Sequence, residues 1–260
     1  MSYPSAVDIV IPVFNEAENI RAVLDSFKQA PFSLRVLICY DFAEDNTLAA
    51  LHDYDPYPLE MIFVRNRSGG ALEAVLTGFS MSTAPYVIAY PADDDYNGAR
   101  IVQLVRLAAE GHDIVSASRF MPGGTMDGCP WLKASLVRCA SWFLYQVAGV
   151  PTRDATNGLR LFSRRVLNQI TIESRTGFAY SIELLVKVHR LGWPITETPF
   201  LWQERRAGQS RFQILAWVPE YLRWLCYALA TRFLRRGAKT VPLRSEAAAA
   251  VAATVRPLIE

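Results

Sequence analysis

The stretch Tyr86-Val-Ile-Ala-Tyr-Pro-Ala-Asp-Asp-Asp-Tyr-Asn-Gly-Ala-Arg100 joins a short apolar run to a row of carboxylates. The apolar run predicts a buried strand, and Pro91 ends it because proline lacks the amide hydrogen that a sheet needs. Asp93, Asp94 and Asp95 follow at once, where open α/β sheets bind their ligands. Three adjacent like charges repel one another, so the cluster predicts either a bound divalent cation or a solvated acidic turn.

Outward from this stretch, short apolar runs alternate with segments of helical periodicity. Strands are predicted at residues 7–13, 34–40, 59–64, 86–90 and 113–118, with a return to the sheet within 154–162 and an extended segment at 195–202. Helices are predicted after Asn15, which would be an N-cap with Glu16 and Glu18 in the first turn, and at residues 45–51, 71–80, 99–109, 131–148, 181–191 and 214–234. This alternation predicts βαβ units and a mostly parallel sheet with both faces covered. Residues 120–130 are rich in turn formers and predict a mobile loop.

Composition sets limits on the function. The 260 residues include 51% hydrophobic ones, enough for a large core, and the net charge of +2 argues against a general nucleic-acid binder. Charge is nevertheless unevenly spread, because residues 36–64 contain no Lys or Arg. Residues 201–240 carry eight basic side chains against two acidic ones. This basic, aromatic-rich segment predicts an anionic partner or a membrane surface.

Cysteine spacing and the chain start point to a reducing compartment. The four cysteines lack the paired spacing of a zinc ribbon, and Cys39 falls within an apolar strand pattern. The first residues lack the basic and apolar regions of a signal peptide, and no uncharged apolar run has the length of a membrane span. A cytoplasmic location is therefore expected.

The predicted helix at residues 214–234 has one continuous apolar stripe. Leucine and valine recur at three- and four-residue steps from Leu215 to Leu229, and aromatic residues lie beside them. Arginine side chains follow towards the end of the helix. An amphipathic helix of this composition lies in a membrane interface or packs as an ordinary core helix, and the pattern alone leaves both open, with the flanking aromatics favouring the membrane.

Six segments in chain order resemble the motifs of one enzyme family. They are IVIPVFNEAENI at 9–20, NRSGGA at 66–71, DIVSASRFMPGG at 113–124, DATNGLRLF at 154–162, GFAYSIELL at 177–185 and RRAGQSR at 205–211. Together they make the chain resemble the GT-A-fold inverting glycosyltransferases of family 2, of the dolichol-phosphate mannosyltransferase and polyprenyl-phosphate glycosyltransferase type. The match runs from about residue 7 to about residue 234.

The resemblance implies an α/β, Rossmann-like, mostly parallel sheet flanked by helices. It implies a GT-A catalytic domain at residues 1–212, an amphipathic, membrane-associating helix at 213–240 and an Ala-rich tail at 241–260. The implied reaction moves a sugar from a GDP- or UDP-sugar to a polyprenyl phosphate, with inversion and with Mg²⁺ or Mn²⁺, at the cytoplasmic membrane face.

The resemblance also implies roles for individual residues. Asp93 and Asp95 are the expected metal ligands. The expected catalytic residues are Asp93, Asp95, Arg119 and Arg206, and the expected donor-binding residues are Pro12, Asn15, Glu16, Asp41, Gly69, Ala92, Asp93, Arg205 and Arg211. A lipid phosphate is already ionised and needs no general base, so Arg119, Lys133 and Arg138 are expected to hold it. Lys133 and Arg138 are equally explained as exposed helix charges, and Glu183 as a structural carboxylate near Arg160.

Two departures from the family pattern bear on activity. Tyr40-Asp41-Phe42-Ala43 stands where the family has Asp-Asp-Gly-Ser, and Pro91-Ala92-Asp93 stands where it has Asp-x-Asp. One missing charge beside a metal is worth about 4 kcal/mol at an effective dielectric constant near 20. Two rival hypotheses therefore stay open, namely a soluble hydroxyl acceptor and a non-catalytic protein that binds nucleotide sugars.

Overall fold

A seven-stranded sheet forms the centre of the protein. The computed structural model describes residues 7–203 and 214–244. The strands are β1 (Val7–Pro12), β2 (Leu34–Tyr40), β3 (Glu60–Arg65), β4 (Tyr86–Ala89), β5 (Ile114–Ser118), β7 (Arg160–Ser163) and β8 (Ile195–Pro199), in the order β3-β2-β1-β4-β7-β5-β8. A separate two-stranded sheet pairs β6 (Thr125–Asp127) with β9 (Leu201–Gln203).

The sheet is mostly parallel, as predicted. Strands β1, β2, β3 and β4 pair in parallel, and β5 pairs with β8 in parallel. The exception is β7, which lies antiparallel between β4 and β5. Because the carboxyl ends of β1, β2, β4 and β5 lie at one edge, the loops after them meet there.

Helices cover both faces of the sheet. They are α1 (Ile20–Phe27), α2 (Asn46–Leu51), α3 (Ala71–Met81), α4 (Ile101–Ala109), α5 (Trp131–Trp142), α6 (Arg164–Gln169), α7 (Ala179–Leu191) and α8 (Ile214–Phe233). Short 3₁₀ turns precede α4 and follow α8, and a π-helical turn, Phe143–Val147, continues α5.

The alternation of side chains along each strand divides the core in two. Val10 and Leu37 belong to one cluster, which includes buried residues of α3, α7 and α8. Ile9 and Ile11 belong to the other cluster, which includes α1 and α4. Successive strand residues point to opposite faces, so both faces of the central strands are buried.

The start of the first helix was predicted wrongly. Asn15 does not cap α1, which begins at Ile20, and the acidic residues before it are not in its first turn. Asn15 instead has a left-handed backbone, with φ of 57°. Its side-chain oxygen accepts from the backbone N–H of Asn46, the first residue of α2, at 3.2 Å. Residues 15–19 are a loop, because a short polar side chain with access to a nearby backbone stabilises turn conformations.

Two further predictions need correction. The predicted loop at 120–130 contains β6, whose partner β9 is distant in the sequence. The six-residue helix α6 was not predicted, although Ser163 caps it by accepting from the backbone N–H of Val166. None of the helices in residues 7–203 and 214–244 combines the length and apolarity that a bilayer crossing requires.

Candidate active site

A cleft of about 1050 Å³ opens at the carboxyl edge of the sheet. Pro12 at the end of β1, Asp41 after β2, Asp93 after β4 and Arg119 after β5 all line it. Four loops that are far apart in the sequence thus contribute to one site because their strands are neighbours in the sheet. The roles expected for these residues stay predictions, but the structure brings all four to one cleft.

The three adjacent aspartates have three different environments. Asp93 is half-buried and lines the cleft, as does Asp94. Asp94 is 7% exposed and accepts from the side-chain amide of Asn97 with both oxygens, each at 2.9 Å. Burial raises the pKa of Asp94 to about 6, although the hydrogen bonds from Asn97 and Tyr96 lower it. Asp95 is half-buried and is not among the described residues that line the cleft.

Asn97 ties this acidic turn to a strand that also lines the cleft. Its side-chain nitrogen donates to the carbonyl of Leu201 at 2.8 Å, and its side-chain oxygen accepts from the Leu201 backbone N–H at 3.0 Å. Leu201 is the first residue of β9, and the whole of β9 lines the cleft. This role of Asn97 was not predicted from the sequence, because its partner Leu201 lies 104 residues away and leaves no local signal.

Arg119 is held in place by a buried carboxylate. Its side-chain Nε and Nη2 donate to the two oxygens of Asp154 at 2.6 and 2.8 Å, and its backbone N–H donates there too. Burial raises the pKa of Asp154, but the charge and hydrogen bonds of Arg119 outweigh burial and hold that pKa below its ordinary value. The guanidinium also donates to Thr156 and lies over the ring of Phe120. Arg119 is therefore a fixed cation in the cleft wall.

Asp41 shapes the loop that leads into α3. Its two carboxylate oxygens accept from the side-chain amide of Asn66 at 2.7 Å and from the backbone N–H of Gly70 at 2.8 Å. Gly69 and Gly70 have φ of 75° and 90°, which side chains rarely tolerate. Gly70 lines the cleft, whereas the predicted donor-binding Gly69 is not among its described lining residues. Asp41 thus presents a hydrogen-bonded carboxylate to the cleft.

The loop after β1 is anchored by α2. The backbone N–H of Asn15 donates to both oxygens of Asp45, and that of Glu16 donates to the hydroxyl of Thr47 at 2.9 Å. Glu16 lines the cleft, but Asn15 does not appear among the described lining residues. Next to them Phe14, which is 38% exposed, also lines the cleft and packs edge-on against Phe42, with 5.2 Å between ring centroids. Phe42 is one of the residues that depart from the family's Asp-Asp-Gly-Ser.

Two cations of α5 lie against aromatic rings. Lys133 lines the cleft, and its ammonium lies 5.3 Å from the ring centroid of Trp202 in β9. Arg138 lies over Phe120 at 5.7 Å and is not among the described lining residues. Lys133 therefore lies at the cleft. The alternative interpretation, an ordinary exposed charge on the helix, did not predict this position. Trp202 was not singled out from the sequence.

Glu183 is a structural carboxylate, but its predicted neighbour is wrong. Its partner is Lys187, at 2.6 Å, and both side chains are fully buried. It also accepts from the backbone N–H groups of Glu173 and Ser174. Arg160, the neighbour expected from the sequence, donates instead to Ser116, Ser181 and backbone carbonyls.

The second half of the cleft is apolar. Residues of α5, α7 and α8, with Phe178 just before α7, line it; they are Leu136, Val137, Ala140, Phe178, Tyr180, Ile182, Val218, Tyr221, Leu222 and Leu225. The polar half contains Asp93, Arg119 and Lys133. No histidine lines the cleft within the part of the chain that the structure describes. The predicted residues Arg205, Arg206 and Arg211 lie outside the described residues.

A family model for "Glycosyl transferase family 2" matches residues 8–171, which is more than half of the chain. The chain belongs to glycosyl transferase family 2. The match contains the acidic turn, Asp41, Arg119 and Asp154, so the polar half of the cleft lies almost entirely within it.

Curated relatives of this chain carry the names of glycosyltransferases. A polyprenol monophosphomannose synthase of Mycolicibacterium smegmatis is 26% identical over 210 residues, covering 78% of this chain and 79% of that protein. A dolichyl-phosphate hexose transferase of Haloferax volcanii is 26% identical over 212 residues, covering 80% and 87% of the two chains. This family 2 chain is a glycosyltransferase.

The solved structures establish the fold. Glucosyl-3-phosphoglycerate synthase from Mycobacterium tuberculosis, solved with Mn²⁺, UDP and glucosyl-3-phosphoglycerate, superposes with a TM-score of 0.62 at 18% identity. The superposition covers 88% of this chain and 80% of that one. The predicted GT-A fold is thereby confirmed.

The cleft meets the minimal requirement for a divalent cation. Magnesium and manganese in phosphate-transfer sites are bound through one or two carboxylates, with phosphate oxygens and water completing the shell. Asp93 offers a carboxylate at the cleft wall, and Arg119 and Lys133 offer cations for phosphate oxygens nearby. Among the described residues, no group of three or more His, Cys, Asp or Glu side chains could hold a metal ion by itself. Phosphate oxygens of a bound ligand would have to supply the remaining contacts. The donor set therefore fits an ion that arrives with a nucleoside diphosphate.

Proposed function

We propose that this glycosyltransferase moves a sugar from a nucleotide-sugar donor to a polyprenyl phosphate, with inversion, at the cytoplasmic face of a membrane. One observation carries the proposal, namely that a single cleft joins a charged half to an apolar half enclosed by α5, α7 and α8. A phosphorylated lipid has the same two chemical halves. The names of the two curated relatives, a polyprenol monophosphomannose synthase and a dolichyl-phosphate hexose transferase, support this acceptor class.

The donor side of the proposal uses the loops after β1, β2 and β4. Phe14 and Asp41 line the cleft where a nucleotide would enter, and Gly70 brings its backbone close to the same space. Asp93, with Asp95 as the second candidate, would hold Mg²⁺ or Mn²⁺ against the diphosphate. The bound ion would neutralise the negative charge that the leaving nucleotide acquires.

The acceptor side uses Arg119 and Lys133. Both cations belong to the charged half of the cleft, and the phosphate of a lipid acceptor would lie against them. Arg119 is pre-organised by Asp154, so ordering it during binding costs little. Because an acceptor phosphate is ionised at neutral pH, its oxygen attacks the anomeric carbon without a general base, which agrees with a cleft without described histidines.

We include three arginines of the segment after β9 in the proposal, although they lie outside the described residues, namely Arg205, Arg206 and Arg211. As stated from the sequence, they would contact the diphosphate of the donor, since guanidinium groups suit phosphate oxygens.

The decisive experiment is transfer to defined acceptors. The protein is incubated with UDP- and GDP-sugars, Mn²⁺ or Mg²⁺, and either a polyprenyl phosphate or a panel of sugars and alcohols. We expect an acid-labile polyprenyl phosphosugar of inverted anomeric configuration and no transfer in EDTA. Transfer to hydroxyl acceptors alone would contradict the lipid acceptor, and metal-independent donor binding without turnover would show a non-catalytic binding protein.

The metal ligands are tested by two matched variants. Asp93→Ala removes a carboxylate from the cleft wall, and we expect metal-dependent donor affinity to fall by a hundredfold or more, since a charge at contact distance is worth about 4 kcal/mol at a dielectric constant of 20. Asp95→Ala is predicted to have the smaller effect, because Asp95 is not among the described lining residues. Equal affinity of Asp93→Ala and the unaltered protein, measured by calorimetry with Mn²⁺, would remove Asp93 from the proposal.

A further inference from the structure

Strand β3 forms one edge of the seven-stranded sheet. It is the first strand in the sheet order, and β2 pairs with it in parallel on one side. Its other side pairs with no strand among the described residues. A strand edge of this kind presents a row of backbone N–H and C=O groups that another strand can bind.

One backbone hydrogen bond identifies the groups of β3 that face outward. The backbone N–H of Asn66, directly after β3, donates to the carbonyl of Tyr40 in β2 at 2.8 Å. Every second residue of β3 before Asn66 has the same orientation, because the peptide groups of a parallel strand alternate between its two sides. Met61, Phe63 and Arg65 therefore direct their N–H and C=O groups away from the sheet.

The opposite edge of the sheet is protected against pairing, whereas β3 is not. Strand β8 has Pro194 before it, Pro199 as its last residue and Glu197 at its centre. Proline offers no N–H, and a charge at the centre of an edge strand opposes pairing with a further strand. The centre of β3 is instead the apolar run Met61–Val64, in which Phe63 is 44% exposed.

The two ends of β3 carry opposite charge. At its start, Asp55 and Glu60 are exposed, and the sequence has no Lys or Arg from residue 36 to residue 64. Arg35 of β2 lies beside Glu60 but is paired with a buried aspartate. At the end of β3, Arg65 and Arg67 are exposed. The edge thus runs from an acidic end through an apolar centre to a basic end.

We propose that two copies of this chain pair their β3 strands antiparallel about a twofold axis, so that their sheets join into one continuous sheet. A twofold axis perpendicular to the sheet reverses the second strand, and the acidic end of each β3 then lies beside the basic end of the other. Directly opposed residues of an antiparallel pair exchange both hydrogen bonds. In the register that uses all the outward groups, Phe63 therefore lies opposite Phe63 of the second copy, and Met61 lies opposite its Arg65.

A second copy fits this edge better than an unrelated peptide does. Any extended peptide could bond to the outward groups, but the charges of β3 are matched by the same strand run in reverse. Two copies in parallel would instead place like charges together, which destabilises strand pairs. No residue of β3 is among the described residues that line the cleft. The dimer and the proposed sugar transfer can therefore fail separately.

Sedimentation equilibrium over a range of protein concentrations tests the dimer. We expect a monomer–dimer equilibrium that high salt weakens. Phe63→Lys places two ammonium groups opposite each other at the twofold axis, so we expect it to raise the dimer Kd at least tenfold. Val102→Lys is the matched control, because Val102 is 37% exposed but lies on α4. A protein that is monomeric at every concentration, or a dimer that Phe63→Lys leaves unchanged, would overturn the proposal.

Charge-reversed variants test the antiparallel arrangement. Arg65→Glu/Arg67→Glu makes both ends of β3 acidic, and Asp55→Lys/Glu60→Lys makes both ends basic. Each variant alone is expected to dimerise at least tenfold more weakly, whereas an equal mixture should form a heterodimer, because its charges match at both contacts. Circular dichroism shows that each variant is folded. Two folded variants that do not associate when mixed would contradict the antiparallel arrangement.

Amide hydrogen exchange, measured residue by residue, tests the pairing without a variant. The N–H groups of Met61, Phe63 and Arg65 should exchange quickly in dilute protein and slowly in concentrated protein, because they gain partners only in the dimer. The N–H groups of Ile62 and Val64 already face β2 and should exchange slowly in both. Exchange at the three outward groups that does not change with concentration would contradict pairing through β3, even if the protein dimerises through another surface.

Discussion

Single side chains fix the geometry of the cleft through buried hydrogen bonds. Arg119 owes its position to Asp154, and β9 owes its position beside the acidic turn to Asn97. In the proposed function, neither Asp154 nor Asn97 contacts the donor, the acceptor or the metal ion. Both are positioning residues, and their loss should affect stability and the site together.

Asp154→Asn should destabilise the protein strongly. It leaves the guanidinium of Arg119, whose side chain is 8% exposed, without its carboxylate, and breaking a buried pair costs about 3–5 kcal/mol. Urea unfolding at pH 7 measures the loss. Asp127→Asn, at an exposed position, is the matched control. A loss below about 1 kcal/mol would show that the pair contributes little.

The same pair predicts a pH dependence. Because the pKa of Asp154 is lowered on folding, its contribution to the free energy of unfolding is complete above the ordinary value of 3.8 and is lost as pH falls through the lower, folded pKa. The difference in stability between the unaltered protein and Asp154→Asn should therefore be constant from pH 7 to about pH 5 and shrink below about pH 4. Urea unfolding across that range is the measurement, and a difference that grows on acidification would contradict the assignment.

Asn97→Ala should weaken both stability and donor binding. It removes the two bonds to Leu201 and the side-chain donor to the buried Asp94, and an unsatisfied buried group costs about 1–3 kcal/mol. The free energy of unfolding and the affinity for donor with Mn²⁺ are measured together. Asn168→Ala, an exposed asparagine in α6, is the control. Unchanged donor affinity at reduced stability would restrict Asn97 to a structural role.

At the scale of elements, a buried ion network attaches α8 to the rest of the fold. Lys187 of α7 pairs with Glu183 and Glu173, and its ammonium lies 5.1 Å from the ring centroid of Trp224 in α8. The indole of Trp224 donates to Ser174 at 3.0 Å. One face of α8 therefore belongs to the core of the described chain, and the predicted division of the chain at residue 212 stays a prediction.

Lys187→Met should loosen this attachment. The variant leaves the fully buried carboxylate of Glu183 without its cation, at a cost of about 3–5 kcal/mol. We expect a lower urea midpoint and faster proteolysis of α8. Lys239→Met, at an exposed position after α8, should leave both unchanged. Equal stability of the two variants would contradict a structural role for the network.

At the scale of the whole molecule, ligand binding and stability are linked. A nucleoside diphosphate with Mn²⁺, present at a hundred times its Kd, should stabilise the folded protein by about 2.7 kcal/mol. For a domain of this size, each kcal/mol raises Tm by about 2–4 °C, so a rise of roughly 5–10 °C is expected. Scanning calorimetry measures Tm. We expect EDTA to abolish most of the rise in Tm, and the free nucleoside, which has no diphosphate, to raise Tm only slightly. The same rise with and without EDTA would exclude a metal-dependent site.

Local patterns in the sequence predicted the elements and the placing of the main cleft residues. Alternating apolar runs and helical periods predicted the strands and most helices, because burial of side chains at a period of two or 3.6 is a local property. The positions of Asp41, Asp93 and Arg119 after predicted strands placed them at one edge of a parallel sheet. The start of α1 was missed, since Asn15 takes a left-handed turn whose contacts come from α2.

What the sequence alone determined was the alternation of strands and helices, the acidic turn after β4 and the family resemblance that the family model confirmed. Tertiary structure alone decided that Asp94 is buried and bonded to Asn97 while Asp93 beside it is half-buried, that both line the cleft, that Asn97 bonds to Leu201, and that α5 and α8 expose apolar residues. The physical reason is that burial and hydrogen bonding depend on which distant segments pack together. Adjacent residues of the same type, such as the three aspartates, differ only once that packing is known.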